Sequence, residues 1–214
     1  MNIKKLSKII AFIFIIGGLV LILGKRAWFP DFYNPIFNGT IAFVSAFLIL
    51  LPRFVFLPTG DLPKGDKPKD LEQKKILDLI QISMVAGLSL STLGGLGLFK
   101  LYKFGFQYDK FLHFLNSFIF TIIIAKLYEQ WRRFSFKKSI ILSIIIIFFV
   151  GAIWEIYELV ADTLFKTQML GQYGEFITKD TIWDLAMNFF GIIIATSCLS
   201  ILKNCKSDLI NKVG

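Results

Sequence analysis

Cysteine is nearly absent from this chain: Cys198 and Cys205, seven apart beside the last apolar segment, are the only two. So few exclude a disulfide framework, and their spacing is not that of a metal site. Proline is confined, because all six precede residue 69, and the last four apolar segments therefore carry no helix breaker. No internal repeat is present. There is also no basic helix and no Arg-rich patch with interleaved aromatics, so the net charge of +9 does not point to nucleic acid. The Lys and Arg residues sit instead in short loops beside apolar segments. Polar alternation is missing as well: Ile140–Gly151 runs through without it.

What is abundant is apolar surface. The 214 residues are 55% hydrophobic with a mean hydropathy of +0.66, more than a soluble domain of this size can cover. The expected class is all-α, a single integral membrane domain over residues 1–214 built as a bundle of about six transmembrane helices. The spans read as Ile9–Leu23, Ile36–Leu51, Ile76–Phe99, Phe111–Tyr128, Ser139–Val160 and Ile182–Leu202, each near the ~20 residues that a bilayer requires. The second is short and ends at Pro52. The first resembles a secretory signal, but no small-x-small cleavage pattern follows Leu23, so it reads as an uncleaved helix. A polar Pro/Gly-rich loop occupies 52–75 and a long outer loop 161–181.

Sidedness follows from basic residues. Seventeen Lys and Arg fall on the side of the two termini and seven on the other, which predicts cytoplasmic termini and a multi-pass protein of the cytoplasmic membrane. Trp28, Trp131, Trp154 and Trp183 fall near span ends, where interfacial aromatics belong.

Against this apolar background the stretch Trp154–Gly191 stands out, reading WEIYELVAD, then LGQYGEFITK, then DTIWDLAMNFFG. Glu155, Glu158 and Asp162 share one helix face by their spacing, and Asp180, Asp184, Asn188 and Gly191 repeat the arrangement. An acid within a span costs roughly 2.5–3.5 kcal/mol on insertion scales and is a functional candidate by default. On the fourth helix, Asp109, His113 and Asn116 lie within about 60° of one another, and His113 is the only histidine. Glu155 lies roughly 24 Å along its helix from Ser139. Asp184 and His113 each lie roughly 6 Å below Asp180 and Asp109. Three helices thus carry charge at one depth on one side, which predicts a single outward-facing polar site.

With Lys110, Lys166 and Lys179 read as surface residues, the carboxylates are protonated, open to water, or hold a cation. Oxygen ligands with one imidazole suit Mg²⁺, Mn²⁺ or Ca²⁺, and Zn²⁺ or Fe²⁺ less well. The expected metal ligands are His113, Glu155, Glu158 and Asp184, and the expected catalytic set adds Asp109. Asn116, Asp162, Asp180, Asn188, Gln172 and Glu175 complete the polar site, the last two from the outer loop. Asp109, His113 and Ser117 invite a catalytic-triad reading, but no nucleophile-elbow pattern accompanies them. Gly87, Ser91 and Gly95 form a small-xxx-small helix-packing stripe.

The motifs YDKFLHF, WEIYELVAD, LGQYGE and DTIWDLAMNFFG resemble the YjdF family of small inner-membrane proteins. More distantly they are similar to the VanZ-like group, with its D-x(3)-H helix start and D-x(3)-N-x(2)-G helix. The resemblance covers Tyr108–Gly191 and implies that Asp109, His113, Glu155, Glu158, Gly171, Asp180, Asp184 and Gly191 are the family's polar and glycine positions. The family's Gln-Gly-Asp in the outer loop looks like Tyr173, Gly174 and Glu175. Some VanZ-like members are associated with glycopeptide resistance.

Three functions fit. The first is a metal-dependent enzyme acting on a lipid or lipid-linked envelope substrate. The second is a proton- or cation-coupled transporter, for which Gln81 is the polar residue in the cytoplasmic half. The third is a structural or regulatory membrane protein whose polar cluster fixes helix packing.

Overall fold

Backbone amides in an apolar phase find no water, so runs of Ile, Leu and Phe must satisfy their hydrogen bonds within the segment, as helix. The structure, a computed structural model, describes residues 2–25, 34–56, 68–95, 98–130, 132–167, 169 and 177–213. These form α1 (Ile3–Leu23), α2 (Pro35–Phe56), α3 (Pro68–Gly95), a 3-10 helix (Leu98–Phe104), α4 (Tyr108–Gln130), α5 (Phe136–Phe165) and α6 (Ile177–Val213). Among the described residues, six helices are long and apolar enough to cross a membrane. The protein is a polytopic helical membrane bundle.

The helix limits correct the hydropathy reading in three places. Pro52 lies inside α2 rather than ending it. It removes one backbone N–H near the helix end, and beyond it Arg53 reaches α3. There its guanidinium donates to Gln81 and, at 2.6 Å, to Asp78, while Gln81 donates back to the Ile49 carbonyl at 3.3 Å. α3 begins at Pro68 and ends at Gly95, so Phe99 belongs to the separate 3-10 helix. α5 and α6 run to Phe165 and from Ile177, further into the outer loop than apolarity alone reaches.

Local capping fixes several ends. Asn34 accepts from the Phe37 N–H at 3.0 Å at the start of α2, and Ser135 accepts from the Lys138 N–H at the start of α5. Lys166 closes α5 in the left-handed region, with φ of 56°.

α4 is the central helix, packed on α3, α5 and α6, while α1 and α2 pack on each other and on α3. Small residues set the close approaches. A Cβ on Gly18 would lie 2.9 Å from the Gly39 carbonyl oxygen, so α1 and α2 meet backbone to backbone. A Cβ on Gly191 would collide with the Phe114 carbonyl and lie 3.0 Å from the Phe118 nitrogen, bringing α6 against α4 in the same way. Ala11, Phe14, Ala42, Ala46, Ile49 and Val85 form one apolar core among α1–α3, and Ile76, Ile80 and Ile123 a second between α3 and α4. Outward faces stay apolar, with Phe12, Phe47, Phe149, Ile156 and Phe190 exposed, as lipid contact requires.

Candidate functional site

The antiparallel order brings the first turns of α4 and α6 to the last turns of α5, and the charged residues meet there. Asp184, only 1% exposed, presents Oδ1 to His113 Nε2 at 3.7 Å. Glu155, 6% exposed, presents Oε1 to His113 Nδ1 at 3.8 Å. Asp109 lies 3.8 Å from Nε2 and is the most open acid of the group. Glu158 is buried and accepts a 2.7 Å hydrogen bond from the indole N–H of Trp154. The imidazole therefore divides the site into an aspartate side, Asp109 and Asp184, and a glutamate side, Glu155 and Glu158. Each side forms with His113 a trio whose ligand atoms all lie within 4.8 Å of one another.

Separations of 3.7–3.8 Å are too long for hydrogen bonds. They suit two ligands of one ion, each roughly 2.0–2.6 Å from it. The satisfaction of the site points the same way. Both oxygens of Glu155 and Oδ1 of Asp184 are buried without a hydrogen-bond partner, and buried carboxylate oxygens are normally paired.

One expectation is overturned. Lys110 is not a surface residue: its ammonium pairs with Asp180, lies 2.8 Å from Asp184 Oδ2 and 3.6 Å from Asp109. The aspartate side thus has a resident cation, and the glutamate side has none among the described residues. A helical reading carries the signal that would have found it. Lys110, His113 and Ser117 stand at i, i+3 and i+7, one continuous face of α4.

The other polar residues take packing roles. Ser117 donates to Asn188 Oδ1 at 2.7 Å rather than to His113, so the triad arrangement is not formed. A Cβ on Gly151 would lie 2.8 Å from Asn188 Nδ2, so this glycine makes room for the amide between α4 and α5. Asn116 turns away from the cluster toward α3, where a Cβ on Gly87 would meet its Oδ1 at 3.1 Å. Asp162 stands apart, accepting from Thr167 and from the Met169 N–H at 2.7 Å, and holds the chain leaving α5. Gly171, Gln172, Tyr173, Gly174 and Glu175 lie outside the described residues, as do Trp28 and Trp131. Trp183 is exposed on α6.

Among known proteins, the family described as predicted membrane protein DUF2238 matches residues 68–204, well over half of the chain. The match begins with α3 and takes in every helix that contributes to the charged cluster, while α1 and α2 precede it. No curated protein and no solved structure matches the chain.

Proposed function

We propose a function for a chain that belongs to the DUF2238 family of predicted membrane proteins: a membrane-embedded enzyme that uses a divalent cation to act on a lipid or lipid-linked envelope substrate. The observation that carries this is Glu155, whose two buried oxygens have no hydrogen-bond partner and whose Oε1 lies 3.8 Å from His113 Nδ1. An uncompensated buried charge costs several kcal/mol, and Lys110 is engaged by Asp180 and Asp184. A cation held by His113, Glu155 and Glu158 removes that cost. Held through Nδ1, the imidazole would keep Nε2 on the aspartate side, 3.7 Å from Asp184, where a carboxylate would orient a metal-bound histidine.

Mg²⁺ and Mn²⁺ suit two carboxylates and one imidazole, and Ca²⁺ or Zn²⁺ are the next choices. The cation would polarise a carbonyl or phosphoryl oxygen or activate water. Asp109, the most open of the acids, is the group to accept a proton, with Lys110 holding the neighbouring aspartates in place.

A lipid substrate is supported by where the site lies, at the ends of membrane spans whose outer faces are apolar. The likeness of its motifs to YjdF and VanZ-like proteins favours an envelope precursor. The Lys and Arg asymmetry favours the outer side of the cytoplasmic membrane.

Transport is the weaker reading. Gln81 is tied to Arg53 and Ile49, and α3–α6 have no interior proline to break them. A purely packing role leaves the unpartnered Glu155 oxygens unexplained.

The deciding experiment is elemental analysis of purified protein beside Glu155→Ala and His113→Ala. A stoichiometric divalent ion in the wild type, lost in both folded variants, is expected. A wild type free of metal, or variants that keep it, removes the proposal.

A further inference from the structure

The corner where α4 gives way to α5 lies at the end of the molecule away from the charged site, and residues 132–138 there read RRFSFKK. It is held in a fixed shape. Arg133 takes the left-handed region with φ of 52°, and the Phe134 N–H donates to the Tyr128 carbonyl at 3.1 Å. The Phe134 ring stacks on that of Tyr128 at 5.6 Å between centroids, and Ser135 caps α5. The ammonium groups of Lys138 and Lys203 lie 4.0 Å over the rings of Phe134 and Phe136. Lys203 comes from α6, so two helices bring cations to this corner.

Three further cations are not engaged. Arg132, Arg133 and Lys137 are exposed, and their side chains make no ion pair, hydrogen bond or ring contact among the described residues. No acidic residue occurs between Glu129 and Glu155, and Glu129 pairs with Lys126 at 2.9 Å. The charges also fall where a helix disfavours them. The first turn of α5 holds Lys137 and Lys138 and no acid, so they add to the positive end of the helix dipole. An anion bound there relieves that repulsion. Deeper along α5, the face that carries Lys137 continues through Ile141, Ile145 and Phe148, all exposed and spaced four, four and three apart. From Lys137 to Phe148 the helix rises roughly 16 Å, about half of a ~30 Å hydrocarbon core and so the depth of one leaflet.

We infer that this corner is a binding site for an anionic phospholipid, its headgroup phosphate held by Arg132, Arg133 and Lys137 at the start of α5 and an acyl chain laid along Ile141, Ile145 and Phe148. The charge and the apolar stripe together select the occupant. A neutral lipid matches the stripe but leaves the three cations without a counter-charge. An acidic protein segment matches the cations but not a stripe that runs the depth of a leaflet. The guanidinium groups add the planar, two-pronged geometry that suits phosphate. The inference stands apart from the metal reading, because none of these residues belongs to the cluster around His113.

Native mass spectrometry of the full chain in detergent, titrated with phosphatidylglycerol or phosphatidylcholine, tests it. At about fivefold per Lys or Arg near an anionic surface, the three cations should give a preference for phosphatidylglycerol on the order of 100-fold. Arg132→Gln, Arg133→Gln and Lys137→Gln together should bring that preference close to unity. Lys137→Gln alone should lower it about fivefold, so the test does not hang on the triple variant. Lys25→Gln, at the opposite end of the molecule, should retain it. The inference is overturned if the wild type shows no preference, if the triple variant keeps it, or if Lys25→Gln lowers it as far as Lys137→Gln does. It is equally overturned if inorganic phosphate displaces the lipid completely, which would make this a free-anion site.

Discussion

Lys110 and Glu155 respond to opposite rules although both sit in the same cluster. Lys110 compensates Asp180 and Asp184, so Lys110→Met leaves two buried carboxylates without a counter-ion. Breaking a buried pair from one side costs about 3–5 kcal/mol, and thermal unfolding in detergent should fall accordingly, with Asp184→Asn in the same chain recovering part of the loss. Glu155→Gln removes a charge whose buried oxygens accept no hydrogen bond and which has no Lys or Arg paired with it among the described residues. In chelator-treated protein its unfolding temperature should hold or rise. The stabilisation that the wild type gains from a divalent ion, about 2.7 kcal/mol at a hundredfold excess over Kd, should be absent from the variant. The two substitutions together separate a compensated aspartate side from an uncompensated glutamate side. At this scale the residue types were legible from sequence, because acids in apolar runs are conspicuous. The pairing was not, since a lysine in the first turn of a span reads equally as interfacial or as inward-facing.

At the scale of the helix, glycine governs how closely α4 and α6 approach. Gly191→Ala forces a methyl group against the Phe114 carbonyl and the Phe118 nitrogen, backbone atoms that cannot swing aside. Overpacking of this kind costs about 1–3 kcal/mol, and thermal melts should show it. Gly87→Ala should cost less, because the atom it meets at 3.1 Å is the end of the Asn116 side chain, which can rotate. The spacing D-x(3)-N-x(2)-G on α6 thus combines two jobs, an acid for the site and a glycine that seats it. Helix ends were the least legible feature. Hydropathy measures where lipid is tolerated, whereas α2 continues past Pro52 because Arg53 finds Asp78 and Gln81 on α3. The same limit hid the division between α3 and the 3-10 helix, which are both apolar.

For the whole molecule, the six candidate spans among the described residues put both termini on one side, and the basic-residue asymmetry predicts that this side is cytoplasmic. Cys205 is exposed on α6 near the termini. A membrane-impermeant maleimide should label it in inverted vesicles and not in intact cells, while Lys103→Cys should behave in the opposite way. Reversed labelling would place the charged site on the inner face and move the substrate there.

The membrane class and the six candidate spans among the described residues followed from sequence alone. They depend on composition and on the helical period, which are local properties of the chain. The depth argument also had a local basis: helices of known rise entering from one side must bring Glu155, Asp184 and His113 to similar levels. Which side of each helix faces which neighbour is different, because it depends on how six rods pack against one another. That packing turned Asn116 toward α3, gave Ser117 to Asn188 rather than to His113, and swung Lys110 inward onto two aspartates. Only the tertiary structure decided that Lys110 pairs with the aspartates and leaves the glutamates without a basic partner among the described residues.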